Sequence, residues 1–363
     1  MNLRRSFPVF LVLLLAGATA APAQNPFSDW DLFRQIVMIP GISGQEAKVM
    51  DFIQAALPKS LKVQRDAKND LWFTAGAGRP HILFVAHADE LGFTVDKITL
   101  QGVVRLKGRP GFLLQACEAR PFVIHTAKGP VEGVMMPRPD YDAPKPQPYN
   151  PETYEMDIGA GSEAEARALG VAEGNPVIFK KHLVDLGPGV AAVRAADDRA
   201  GCAALLAAVL QTDWAQLKGR TVTCAWSVEE EIGLNGAAAM AKVLKPDYVF
   251  AIDTFVSSDS PLENPRFAGA KLGFGAVLRA LDSSSFVPKA ELNKVLKLAA
   301  ARTIPVQVGN SRGGNDGSVF IAGGAVDIPL SWPGTYAHSF IEKIERKDLE
   351  ALTSLIKAII TDF

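Results

Sequence analysis

Side chains able to bind metal or move protons recur in one setting along this chain, at the end of a short apolar run. Ile82 to Val85 is followed by Ala86-His87-Ala88-Asp89-Glu90, an imidazole with a carboxylate two positions on. His87 is a candidate metal ligand, and Asp89 is placed to accept a hydrogen bond from the other ring nitrogen, which would fix the tautomer. Val222 to Trp226 is followed by Ser227-Val228-Glu229-Glu230-Glu231, and Tyr248 to Ile252 by Asp253. His338 comes after Val326 to Trp332, in Tyr336-Ala337-His338-Ser339, and Ala195-Ala196-Asp197-Asp198-Arg199 puts two carboxylates directly before a helical pattern.

Each segment alone has a plain explanation. An aspartate before a helix caps it, a glutamate run is a solvated turn, and a lone histidine after a strand is structural. Three carboxylates between apolar residues at the end of a core strand are costly if unpaired, however, and the coincidence of five such segments is not covered by five local reasons. Three carboxylates and two imidazoles suit a borderline divalent metal such as zinc or cobalt, bound as a close pair with one carboxylate bridging. A further glutamate that binds neither ion is the expected general base.

The elements that must position these groups are short apolar strands separated by helical patterns. Ile82–Val85, Val222–Trp226 and Tyr248–Ile252 read as buried strands. Ser43-Gly44-Gln45-Glu46 has capping-box spacing and predicts a helix from there to about Leu57. AGCAALLAAVL, 200–210, reads as a helix packed on both sides, and Leu349, Leu352, Leu355, Ile356, Ile359 and Ile360 share a face of a C-terminal helix. Strands alternating with helices imply an α/β domain with a mostly parallel sheet covered on both faces, and in such a sheet ligands bind beyond the carboxyl ends of the strands. From about Thr94 to Asp185 the rhythm breaks into short β-like pieces, the turn Lys128-Gly129-Pro130 and a proline-rich run from Pro137 to Pro151. A structureless loop of that length is uncommon, so 94–185 is expected to be a small β-rich domain inserted between catalytic parts 24–93 and 186–363.

The composition suits a soluble globular protein: 363 residues, 48% apolar and 21% charged. With 38 basic and 39 acidic residues, it gives no footing for nucleic acid. Three cysteines, Cys117, Cys202 and Cys224, are too few for a disulfide framework. Residues 1–23 have the form of a secretory signal peptide, with Arg4 and Arg5, then the apolar run Val9–Leu15, then small residues ending at Ala21-Pro22-Ala23. The apolar run is shorter than the roughly 20 residues of a spanning helix. The expected mature protein is exported, periplasmic or extracellular, and free of the membrane after cleavage. Arg4-Arg5 followed by Phe7 also partly resembles a twin-arginine signal.

With these motifs in hand, the sequence resembles the glutamyl and deblocking aminopeptidase family of dimetal peptidases, whose best-studied members assemble into tetrahedral dodecamers. The resemblance runs through Pro40-Gly41-Ile42-Ser43-Gly44, His87 to Phe93, Asp157-Ile158-Gly159-Ala160, Asp197-Asp198-Arg199, Glu230 to Leu234, Gly313-Gly314-Asn315-Asp316 and Tyr336 to Ser339. It implies Asp197 as the bridging carboxylate, His87 and Asp253 completing one metal site, Glu231 and His338 the other, and Glu230 as the catalytic base. Asp89, behind His87, joins Glu230 in the catalytic set. The resemblance also implies release of N-terminal amino acids from short peptides, and a dimerisation role for the inserted domain, hence a homo-oligomer of at least two subunits and up to a dodecamer. Two features depart from the pattern: Pro333-Gly334-Thr335-Tyr336 lacks the arginine that members often carry there, and the well-known members have no export signal. The competing readings are a carboxypeptidase or N-acyl amino acid deacylase with a related metal site, and an inactive exported binding protein of the same fold. A glycosidase would rest only on adjacent Glu230 and Glu231, which cannot flank a sugar bond in the required geometry.

Overall fold

The apolar runs do form the centre of a sheet. The computed structural model describes residues 28–108, 111, 116–140, 143–145, 154–261 and 263–363. The expected leader and much of the proline-rich run lie outside the described residues. Four parallel strands stand side by side at the sheet centre, in the order Thr221–Ser227, His81–His87, Tyr248–Val256 and Leu330–Thr335. Strands buried on both faces can be apolar throughout, and the inner runs Ile82 to Ala86 and Val249 to Ile252 are. The margins are antiparallel, with Leu71–Gly76 on one side and Glu342–Glu345 with Val190–Val193 on the other. No helix among the described residues is long and apolar enough to cross a membrane.

Ala196–Leu210 lies against the sheet between the helices Asp29–Ile36 and Arg346–Asp362, and all but its last residue are buried. Its small side chains explain the lack of an apolar stripe: alanine and glycine let two helices and a sheet approach one element from every side. Cys202 and Cys224 are buried thiols.

The helix near Ser43 is shorter than the spacing predicted. It spans Ala47–Ala56, and Ser43 does not cap it. The Ser43 hydroxyl instead donates to Asp89 Oδ2 at 2.7 Å, while Glu46 accepts from the amides of Gly44 and Glu229. The capping-box residues thus fasten the loop to the sheet end rather than to their own helix.

The region that breaks the α/β rhythm contains a closed barrel of the strands Phe93–Ile98, Val104–Gly108, Tyr154–Asp157, Gly129–Met135, Pro121–Thr126 and Pro176–Phe179. It has its own core, including Phe93, Phe122, Met156 and Phe179. The next strand, Val184–Gly187, pairs with Val190–Val193 in the main sheet, so the chain is back in the α/β body by residue 184.

Candidate metal centre

Strand register brings the first two candidate ligands together. Ala86 lies opposite Ile252 in the parallel pair of central strands, so His87 and Asp253, one residue further on, end side by side at the carboxyl edge. His87 Nε2 is 3.8 Å from Asp253 Oδ1 and 3.3 Å from Asp197 Oδ1. The other oxygen of Asp197 faces the opposite way, with His338 Nε2 at 3.5 Å, and the same His338 atom is 3.5 Å from Glu231 Oε2. His87, Asp197 and Asp253 form one cluster of donors, and Asp197, Glu231 and His338 a second, each with ligand atoms within 4.8 Å of one another. Asp197 belongs to both.

The paired aspartates divide their labour. Asp198 Oδ1 accepts from the Gly201 amide at 3.2 Å and from Trp332 Nε1 at 2.9 Å, the capping role expected of an aspartate at a helix start. A Cβ at position 201 would stand 2.2 Å from the Asp198 carboxylate, so glycine is required there. Asp197, with extended ψ of 112°, turns into the site instead. The three glutamates divide likewise. Glu229, at φ 55°, reaches outward to Lys68 at 2.9 Å, Glu231 joins the second cluster, and Glu230 lines the cavity between them without belonging to either.

Asp89 is fully buried beneath this edge. Its Oδ1 is 3.3 Å from His87 Nδ1 and accepts from the Glu230 amide at 3.0 Å, and its Oδ2 accepts from the Glu231 amide at 3.2 Å. One carboxylate thereby stands against the ring of His87 and holds the backbone of both glutamates, a wider role than the tautomer control read from its spacing. It touches no part of the cavity and acts as a positioning residue.

The electrostatics show what the donors need. Burial opposes charge on His87, yet Glu230, Asp197, Asp253 and Asp89 hold its imidazole well above its ordinary pKa. Burial also opposes charge on His338, but Glu231 and Asp197 raise it to about 10. Glu230 is pushed well above the usual carboxylate range by burial and by its neighbours Asp253, Asp316 and Glu231, against the opposing effect of His87. Burial chiefly, with Asp197, moves Glu231 to about 7. So many buried carboxylates are tolerable only when cations are among them, and the arrangement of nitrogen and oxygen donors in two clusters with a shared carboxylate fits a pair of divalent metal ions.

Three supporting residues escaped the sequence reading. Arg279 is a fully buried guanidinium 3.0 Å from Asp253 Oδ2, and it also donates to Ser331 Oγ at 2.8 Å, to the Gly314 carbonyl at 2.9 Å and to the Thr254 carbonyl. Glu342, paired with Arg194 at 2.5 Å, accepts from the backbone amides of Asp197 and His338. Ser43 is the third. A signal for Arg279 did exist, an arginine in the otherwise apolar Ala276–Leu281 strand, where an unpaired charge would be prohibitive. Glu342 had no such local mark, and the capping-box spacing of Ser43 pointed to its own helix rather than to Asp89.

Beside the two clusters and their shared carboxylate opens a cavity of about 340 Å³, with Glu230 on its wall. Residues 71–355 match the family described as M42 glutamyl aminopeptidase. The putative aminopeptidase FrvX of Escherichia coli is 32% identical over 341 residues, covering 91% of this chain and 94% of its own. Lysyl aminopeptidase of Pyrococcus furiosus is 27% identical and covers 92% of this chain and 97% of its own. Among solved structures, the TET1 peptidase of Pyrococcus horikoshii, described as assembling into a tetrahedron or a large octahedral shell, superposes with a TM-score of 0.84 at 33% identity, covering 93% of this chain and all of that one.

Proposed function

The chain belongs to the M42 glutamyl aminopeptidase family and is a metal-dependent aminopeptidase, and from that premise we propose how its own residues carry the reaction. His87, Asp197 and Asp253 hold one divalent ion, Asp197, Glu231 and His338 the other, and Glu230 is the general base. The observation that carries this reading is the two donor clusters joined at Asp197 beside a carboxylate that belongs to neither.

When bound, such a pair of ions polarises the scissile carbonyl and acidifies the attacking water. Glu230 accepts the proton that this water gives up and returns it to the amine as the peptide C–N bond breaks. A buried carboxyl with a raised pKa suits both directions of that transfer. Asp89 keeps His87 and the Glu230 backbone in register through the cycle. Asp198 and Glu342 hold the chain on either side of Asp197.

Zinc is the proposed ion and cobalt an accepted substitute, because the donors are imidazole and carboxylate without thiolate. Short peptides are the proposed substrates, and the family members' assemblies support a homo-oligomer here. We also propose that the protein is exported and begins after Ala23, on the pattern of residues 1–23. Intact mass of protein recovered from the periplasm or medium tests this, and an uncleaved N-terminus in the cytoplasm would contradict it. The central test is metal analysis with activity on aminoacyl p-nitroanilides. Two ions per chain, with hydrolysis lost on chelation and restored by zinc or cobalt, is the expected result; a single restorable ion would reject the two-metal site.

A further inference from the structure

Once the ligand and proton-transfer groups are set aside, the walls of the active-site cavity hold little that can choose between substrates. Thr254, Val256, Ser311, Gly313 and Ala337 are small or uncharged, and the Arg279 guanidinium is committed to Asp253, Ser331 and two carbonyls. Among the described lining residues, Glu263 is the charge that remains.

Its carboxylate is poorly compensated. The side chain is only 9% exposed, and its charged neighbour is the Nε of Arg312 at 3.6 Å, on a side chain 66% exposed. That guanidinium also leans over the Phe267 ring, 5.5 Å from its centroid. One Glu263 oxygen accepts from the Asn264 amide at 2.7 Å. An ion pair to a long, solvated arginine contributes little, while a carboxylate sheltered from water gains most from a cation that reaches it inside the cavity. An acidic group arriving there would meet like charge with little water to screen it.

We propose that Glu263 is a specificity-determining residue that favours peptides whose N-terminal residue has a cationic side chain, lysine or arginine, and rejects those beginning with an acidic one. The inference rests on the aminopeptidase reading and adds the substrate class to it. No metal ligand or proton-transfer residue is involved in the selection, so selectivity and catalysis are separable by substitution.

The test compares kcat/KM of the metal-loaded full chain on the p-nitroanilides of lysine, arginine, leucine and glutamate, for the native protein and for Glu263→Gln and Glu263→Lys. Metal content and melting temperature check that each variant is folded. Lysine and arginine should exceed glutamate on the order of 100-fold in the native protein, as expected for a polar site presented with the wrong partner. Glu263→Gln should bring the ratio within about tenfold while leucine hydrolysis is largely kept, and Glu263→Lys should reverse the order. Because Glu263→Gln is nearly isosteric, it gives a reading even if the lysine variant fails to fold. Leucine hydrolysis with no preference for lysine over glutamate would overturn the specificity inference and leave the aminopeptidase reading intact. An equal loss on all four substrates would also overturn it, by showing that Glu263 serves the α-ammonium common to them. No hydrolysis of any substrate by the metal-loaded native protein would overturn the aminopeptidase reading and this inference with it.

Discussion

Asp197 and Glu230 do different things with the same functional group, and the difference is measurable. Asp197 faces an imidazole with each of its oxygens, so its replacement by asparagine removes the charge that both ions would share. Asp197→Asn should therefore lose bound metal, read by elemental analysis after dialysis. Glu230 belongs to neither donor cluster. Glu230→Gln should keep both ions and the native fold while turnover falls by roughly 100- to 10,000-fold, the usual cost of a lost acid-base group. Near-normal turnover in that variant would move the base elsewhere. The neighbouring Glu229 is a poor substitute, since its carboxylate is already paired with Lys68 at 2.9 Å.

At the scale of elements, the site depends on how firmly the segment 36–43 is tied to the sheet end. Lys181 Nζ donates to the carbonyls of Val37 at 2.7 Å and Ile39 at 3.1 Å, and it is 2.7 Å from Glu90 Oε1. Arg199 adds bonds to the carbonyls of Ile36, Ile39 and Gly41. Glu90, wholly buried, also accepts from the Gly41 amide. The segment so clamped delivers Ser43 to Asp89, and through it the orientation of His87 and the two glutamates. A buried charge pair stabilises little as a whole, but removing one partner strands the other. Lys181→Met should thus destabilise the fold by about 3 kcal/mol, seen as a lower midpoint in denaturant. An unchanged midpoint would mean that Arg199 and Gly41 satisfy Glu90 without Lys181.

For the whole molecule, the barrel reaches the site through one connection between its strands, where the Gly111 carbonyl lines the cavity and lies 3.0 Å from His338 Nδ1. It closes on itself with its own apolar core, interrupts the α/β body and supplies none of the proposed ligands, which is the position expected of a domain that mediates association. The proposed oligomer has a direct check in sedimentation velocity of the purified protein, where a dimer or larger species is expected at micromolar concentration. A monomer fully active on short peptides would reject the oligomer and leave the catalytic proposal in place. The Pro333-Gly334-Thr335-Tyr336 stretch is mostly internal to the fold, with Thr335 buried at a strand end and Tyr336 partly exposed just beyond it.

Much of the site was legible in the sequence because parallel strands follow a simple physical rule. A strand buried on both faces must be apolar, so the first polar residue after each run marks its carboxyl end, and those ends lie along one edge of the sheet. That logic picked out His87, Asp253 and the acidic segment around Glu230 without any knowledge of packing, and placed His338 a few residues past a strand end, whereas Asp197 stood out as a carboxylate before a helix. It could not separate neighbours. Asp197 and Asp198 share one local environment along the chain, as do Glu229, Glu230 and Glu231, and the direction each side chain takes follows from backbone angles that only the assembled sheet and helices impose: ψ 112° at Asp197, φ 55° at Glu229. The supports were hidden for the same reason. Ser43 reaches Asp89 across 46 positions and Glu342 reaches Asp197 across 145, contacts whose partners are chosen by tertiary packing and leave no periodic trace. Sequence thus determined which chemistry was available and at which edge of the sheet; the tertiary structure decided which carboxylate takes each role and which buried charges hold it there.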